Sequence, residues 1–110
     1  GTYAGQWRNG KMHGQGTITY ENGNQYTGKW QEGKKHGYGQ LTWASGDTFE
    51  GQFRNNARNG QGVYSWVDGR KYIGTWEAGE RHGKGTYINS GGKQYAEVWE
   101  KGKLVSSSLR

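Results

Sequence analysis

The chain has no cysteine and very few aliphatic residues. Without cysteine it can form neither a disulfide framework nor a thiolate metal site. Leu, Ile, Val and Phe together number 12 of 110 residues, and such a share with a net charge of +6 is typical of disordered chains. No apolar run approaches the ~18 residues of a membrane-spanning helix, and no signal-peptide pattern opens the chain.

Aromatic residues and glycine compensate for the missing aliphatic residues. Six Trp and eight Tyr supply a large apolar area, so we expect a folded chain with a thin aromatic core. At 110 residues it forms one domain or one repeat array. Because it begins at Gly1 rather than Met, we expect a segment or processed product. The pI near 9.6 permits acidic partners, lipid headgroups or nucleic acid and selects none of them.

An internal period of 23 residues organises the chain. It defines four full repeats at 3–25, 26–48, 49–71 and 72–94, and a partial fifth at 95–105. Twenty of the 22 glycines follow this period. So do two aromatic positions, which are Tyr3, Tyr26, Phe49, Tyr72 and Tyr95, and Trp7, Trp30, Phe53, Trp76 and Trp99.

Within a repeat, apolar residues alternate with polar ones, which predicts β-strands. Asn9-Gly10 predicts a two-residue hairpin turn, because both positions tolerate positive φ. That turn would place Gly5 opposite Gly14 and Tyr3 opposite Gly16. A three-residue connection after the second strand would then pair Gly16 with Trp30. In this register the glycines leave room for the aromatic rings to lie over the backbone.

The predicted fold is all-β, an elongated, twisted single-layer antiparallel sheet of stacked hairpins. Nine or ten strands at about 4.8 Å each give a length of ~45 Å. The aromatic face should form a groove, and the Thr/Gln/Lys face should stay solvated. The tail at 106–110 is either disordered or part of an element that is cut off here.

The pattern Y-x-G-x-W-x-x-G-x-x-H-G-x-G resembles the MORN repeat over about residues 3–105. The resemblance implies a sheet of hairpins and a recognition or scaffold module without catalysis. It implies a cytoplasmic location, with the membrane surface and the cytoskeleton as candidate sites of action. Departures from the pattern include Asn56 and Asn59 in the third repeat, which should preserve the fold. Glu97 and Val105 mark the fifth copy as a terminating repeat.

Three kinds of reactive site are not expected. The repeated histidines His13, His36 and His82 would lie roughly 9–10 Å apart, too far to share one metal ion, so we expect them to stabilise turns. His-Gly-x-Gly lacks the Lys-Ser/Thr and the helix of a phosphate loop. No catalytic set of Ser, His and Asp can be assembled. We therefore expect no enzyme, no metal and no cofactor.

Two binding hypotheses remain open. In the first, the aromatic groove takes a peptide or helix of a protein partner, although the same rings are also the only available core. Its candidate contacts are Tyr3, Trp7, Tyr26, Trp30, Phe49, Phe53, Tyr72 and Trp76. In the second, basic hairpin tips bind anionic phospholipid headgroups, although such tips are also solvated by default. Its candidate contacts are Arg8, Lys11, Lys34, Lys35, Arg58 and Arg81.

Other partners rank lower. Exposed aromatic and basic groups suit single-stranded nucleic acid, but the resemblance does not support it. The first strand, at residues 1–7, should present an open sheet edge, so homo-oligomerisation through that edge is a further expectation.

Overall fold

The computed structural model describes residues 1–110 and contains ten β-strands and no helix. The strands form one sheet in sequence order, each antiparallel to its neighbours, with overall dimensions of 49 × 24 × 17 Å. The predicted elongated single-layer sheet of hairpins is therefore confirmed. The strands are β1 (Thr2–Arg8), β2 (Lys11–Thr19), β3 (Gln25–Gln31), β4 (Lys34–Thr42), β5 (Thr48–Arg54), β6 (Ala57–Ser65), β7 (Lys71–Glu77), β8 (Glu80–Ile88), β9 (Gln94–Glu100) and β10 (Lys103–Leu109).

Each hairpin has a two-residue turn, and these turns lie along one side of the sheet, here called the turn edge. Both residues of the first turn have positive φ, 52° at Asn9 and 76° at Gly10, as the Asn-Gly pair predicts. In the third hairpin the corresponding angles are 49° at Asn55 and 72° at Asn56. The expectation that asparagine would replace the turn glycine without loss of the fold is confirmed.

The pairing within a hairpin differs from the sequence-based register. Gly5 pairs with Gly16 and Tyr3 with Ile18, so the predicted Gly5–Gly14 and Tyr3–Gly16 pairs are wrong. A bulge explains the shift, because residues 13–15 of β2 lie opposite the single residue Gln6 of β1. Gly14 adopts a φ of 77° there, and the Gln6 side-chain carbonyl accepts a hydrogen bond from the Gln15 N–H at 2.8 Å.

The connection between hairpins is also longer than predicted. Residues 20–24 form a five-residue loop, closed by a hydrogen bond of 2.8 Å from the Tyr20 N–H to the Asn24 carbonyl. Trp30 consequently pairs with Gly14, and the predicted Gly16–Trp30 pair is wrong. The loops at 20–24, 43–47, 66–70 and 89–93 lie on the side of the sheet opposite the turns, here called the loop edge.

The predicted packing of aromatic rings on glycine is confirmed for the first aromatic residue of each of the four full repeats. The Tyr26 ring covers Gly39, where any Cβ would collide with it, and the Tyr3 ring covers Gly16 in the same way. Trp30 contacts the same glycine differently, since its indole N–H donates to the Gly16 carbonyl at 3.1 Å.

Nine aromatic rings form a continuous row along the sheet, and the middle six are its buried core. Neighbouring rings pack edge to face, with centroids 4.9 to 6.2 Å apart. Each first-strand Tyr or Phe contacts the Trp or Phe of its own repeat and that of the next, an arrangement favoured by the quadrupole of the rings. In order the rings are Trp7, Tyr3, Trp30, Tyr26, Phe53, Phe49, Trp76, Tyr72 and Trp99, here called the core row.

The fifth copy ends the sheet with altered chemistry. Glu97 stands where the other copies have glycine, and its buried carboxylate accepts hydrogen bonds from the Trp99 indole at 3.0 Å and the Ser107 hydroxyl at 3.1 Å. Residues 106–109 of the tail belong to β10, which pairs with β9. β1 and β10 are the two edge strands, so oligomerisation through β1 stays a prediction.

Candidate functional site

All eight proposed groove contacts lie in the core row. Tyr3 is half-buried, and Trp7 is 60% exposed at the end of the row. The others have almost no surface left for a partner to contact. These buried contacts are Tyr26, Trp30, Phe49, Phe53, Tyr72 and Trp76.

A second set of rings on the same face is partly exposed. It follows the loop edge and is here called the outer aromatic row, consisting of Trp43, Tyr64, Trp66 and Tyr87. The centroids of successive rings are 5.1, 4.6 and 6.2 Å apart, so the row is continuous. Its members have one packed side and one open side, which makes this row the accessible aromatic surface.

Hydrogen bonds at the loop edge fix this row in place. The Asp47 carboxylate accepts from the Tyr64 hydroxyl at 3.0 Å and from the Val67 N–H at 3.0 Å, and so links two successive loops. The Trp66 N–H donates to the Arg70 carbonyl at 2.9 Å within its loop. Burial, followed by the hydrogen bond to Asp47, raises the pKa of Tyr64 above its ordinary value. One ring of the row, Tyr64, is therefore held by a side-chain hydrogen bond, and the loops beside the row are closed by bonds from backbone N–H groups.

Three of the six proposed lipid contacts lie on the aromatic face. Lys35, Arg58 and Arg81 pair across the sheet with core-row residues and are half-buried. Their cationic groups lie over aromatic rings, with Arg58 between the core row and the outer row. The other three, which are Arg8, Lys11 and Lys34, are exposed at the turn edge.

Two of these cations, Arg58 and Arg81, line one cavity of about 370 Å³. Tyr64 and Trp66 form its aromatic wall, and Glu80 also lines it. An Arg58 Nη donates to the Gly79 carbonyl at 2.8 Å. The Arg81 guanidinium carbon lies 3.6 Å from the centroid of the Trp99 ring. The cavity thus combines aromatic surface with two oriented guanidinium groups.

Burial determines the electrostatics of both arginines. It lowers the pKa of Arg58, which the neighbouring Tyr64 raises and the positive charge of Arg81 lowers further. Burial also lowers the pKa of Arg81, against the opposing effects of Tyr72 and Glu97. Both groups nevertheless stay charged at neutral pH, because a guanidinium does not deprotonate in proteins. The cavity therefore carries positive charge in a partly desolvated setting.

The repeated histidines connect neighbouring hairpins. Nδ1 of His82 accepts a hydrogen bond from the Lys101 N–H at 3.2 Å, in the turn of the following hairpin. Asn59 replaces histidine in the third repeat, and its side-chain carbonyl accepts from the Ala78 N–H at 3.2 Å. The histidine position therefore stabilises the next turn rather than its own. No group of three or more His, Asp or Glu side chains is arranged to hold a metal ion.

The sequence reasoning did not select the outer aromatic row as a site. These residues do repeat every 23 positions, as Trp43 and Trp66 or Tyr64 and Tyr87 show. The available signal was their place at the end of the second strand, beside a loop, where a ring can pack on one side only. Arg58 lies on the same face because the two-residue turn pairs it with Phe53.

Comparison with known proteins agrees with this architecture. The sequence model of the MORN-repeat family matches residues 3–25, 26–48, 49–69 and 72–94. No curated protein matches the chain. The structure contains no helix long and apolar enough to span a membrane.

Proposed function

Because this chain belongs to the MORN-repeat family, we propose that it is a non-catalytic scaffold module that binds a peptide or helix of a partner protein on its aromatic face. MORN repeats are generally linked to protein or membrane interaction. The observation that carries the proposal is the partly exposed outer aromatic row, which stays accessible while six of the nine core-row rings are buried.

The composition of this surface supports a protein partner. Trp, Tyr and Arg are the residues most enriched among binding hot spots. The outer aromatic row and the two cavity arginines bring all three types together on one face. The row lies on a continuous hydrogen-bonded sheet. The sheet itself therefore loses little conformational entropy when a partner binds.

A displayed library of random 12-residue peptides, selected on the immobilised full chain, tests the proposal. Selected peptides are then assayed against the double variant Trp43→Ser/Trp66→Ser. The matched control is Tyr38→Ser, which removes an aromatic ring that is 56% exposed outside this face. We expect the Trp variant to lose at least about ten-fold in affinity, since hot-spot truncation costs about 2 kcal/mol or more, and the control to bind normally.

Thermal unfolding of the variants separates loss of binding from loss of folding. A second variant, Trp66→Phe, retains an aromatic ring and should keep most of the affinity. Failure to select any peptide, or equal loss of binding in Tyr38→Ser, would contradict the proposal.

A second candidate function is binding of anionic phospholipid headgroups at the turn edge. The exposed positions of Arg8, Lys11 and Lys34 favour it, because flexible surface cations suit a membrane surface. Co-sedimentation with vesicles containing phosphoinositides, over a salt series, tests it. Salt-sensitive binding that is lost in Arg8→Glu/Lys11→Glu/Lys34→Glu, and kept in Trp43→Ser/Trp66→Ser, would support this candidate over the first.

A further inference from the structure

The two cavity arginines have unused hydrogen-bonding capacity. None of the three ion pairs in the structure includes Arg58 or Arg81. Of the five N–H groups that each guanidinium carries, Arg58 uses one for the Gly79 carbonyl and Arg81 uses none. Arg70 differs, because it packs on Trp66 and forms a 2.9 Å ion pair with Asp68. Arg58 and Arg81 are thus half-buried cations that lack a carboxylate partner, whereas the other unpaired arginines are exposed.

The nearest acidic groups do not fill this role. Glu80 lines the cavity without pairing with either arginine, and the Glu97 carboxylate is bonded to Trp99 and Ser107. Arg58 and Arg81 occupy equivalent positions in adjacent repeats, two strands or about 10 Å apart. Each packs against aromatic rings, which limits the side chain to a few orientations and leaves guanidinium edges available.

We propose that the cavity between Arg58 and Arg81 receives a carboxylate of the bound partner, so that the segment recognised is an acidic peptide with an Asp or Glu beside an apolar or aromatic residue. The inference rests on the proposed function and specifies its partner. The carboxylate bonds to the guanidinium edges, and the adjacent apolar side chain packs on Tyr64 and Trp66. Arginine suits this contact because its planar donors match both oxygens of a carboxylate.

Several observations favour a peptide carboxylate over a phosphate of a lipid headgroup. Glu80 contributes a negative charge at the cavity, which opposes the doubly charged phosphomonoester of a phosphoinositide more than a singly charged carboxylate. Both arginines are half-buried among rings, whereas a membrane surface is met by protruding cations such as Arg8 and Lys34. The cavity opens beside the outer aromatic row, and so a charged and an apolar residue of one segment can be held together.

The test uses the peptides selected from the 12-residue library on the full chain. We expect Asp or Glu next to an apolar or aromatic residue to be enriched among them. Replacing that acid by its amide in a labelled peptide should weaken binding about ten-fold or more, as charge-assisted hydrogen bonds allow. Arg58→Gln/Arg81→Gln should lose the same factor and no longer distinguish acid from amide. The control is Arg54→Gln. It removes one positive charge at an exposed position outside the aromatic face.

The outcomes separate the inference from the proposed function. Peptides without acidic enrichment that still depend on Trp43 and Trp66 would overturn the inference and leave the proposed function standing. The same conclusion holds if Arg58→Gln/Arg81→Gln is folded, as judged by thermal unfolding, and still binds the acidic peptide more tightly than its amide. Selection of no peptide at all, or arginine-dependent binding only to phosphoinositide vesicles, would overturn both.

Discussion

Tyr26 and Tyr72 occupy the same repeat position but differ in one contact, and this predicts opposite effects of the same substitution. Both side chains are completely buried in the core row. The Tyr26 hydroxyl donates to the Lys29 carbonyl at 3.0 Å, whereas the Tyr72 hydroxyl has no hydrogen-bond partner. Phe49 fills the equivalent place in the third repeat without any hydroxyl. The site therefore accepts phenylalanine sterically.

The expected magnitudes follow from these contacts. Tyr26→Phe removes a hydrogen bond and leaves the Lys29 carbonyl without its donor, which should lower the free energy of unfolding by about 1 kcal/mol. Tyr72→Phe removes a buried polar atom that folding strips of water without compensation, so it should raise that free energy by about 1 kcal/mol. The two variants should differ by about 2 kcal/mol, or roughly 8 °C in melting temperature for a domain of this size.

Urea denaturation followed by tryptophan fluorescence measures both free energies at pH 7. Because repeat arrays can unfold in parts, the comparison requires that the m-value of each variant equal that of the wild type. The phenylalanine variants serve as controls for each other, since the chemical change is identical. If Tyr72→Phe is as destabilising as Tyr26→Phe, the assignment of the Tyr72 hydroxyl as an unpaired buried group is refuted.

Three further predictions concern the sheet. Gly39→Ala should cost about 3 kcal/mol in the free energy of unfolding because its Cβ meets the Tyr26 ring. Gly69→Ala, with open space but a φ of 101°, should cost only about 1 kcal/mol, and equal costs in urea denaturation would contradict the packing argument. His82→Ala should lower the free energy of unfolding by about 1 kcal/mol, because it removes the acceptor for the Lys101 N–H. His82→Asn should restore this stability. If the asparagine variant melts at the same temperature as the alanine variant, histidine does not have this role. Burial raises the pKa of the Tyr26 hydroxyl from 10.0 to about 12. As pH rises, this hydroxyl therefore loses its proton in the unfolded chain before it does so in the folded chain. The free energy of unfolding should consequently fall between pH 10 and 12. The slope from this group is at most about 1.4 kcal/mol per pH unit, which amounts to about 1 kcal/mol between pH 10 and pH 11, and Tyr26→Phe should remove this contribution.

Much of the fold could be predicted because the repeat carries it explicitly. The Asn-Gly turns, the alternation of apolar and polar residues and the glycines under tyrosine rings all appear in the sequence as fixed spacings. The strand register could not be predicted, because it depends on a bulge at His13–Gln15. The only feature of the sequence that indicates this bulge is Gly14. Gly14 has two possible uses, room for a ring or a positive φ, and the structure uses it with a φ of 77°.

The candidate site shows the same division. That aromatic rings share one face could be predicted from their parity along the strands. Which of these rings are buried could not be predicted, because burial depends on the direction in which each side chain extends over the neighbouring strands. Arg58 and Arg81 were assigned to the hairpin tips by sequence position, yet the two-residue turns themselves place these arginines opposite Phe53 and Trp76 on the aromatic face.

The proposed function and the further inference both require that a partner peptide bind the outer aromatic row beside the cavity arginines. The most direct test of this binding is a two-dimensional NMR titration of the labelled chain with a peptide selected from the library, following the six tryptophan indole N–H signals. We expect shifts for Trp43 and Trp66, whose rings are partly exposed, and little change for Trp30, whose indole N–H donates to the Gly16 carbonyl. Unchanged Trp43 and Trp66 signals, with shifts confined to amides of the Thr17 and Thr27 face, would contradict binding at this row.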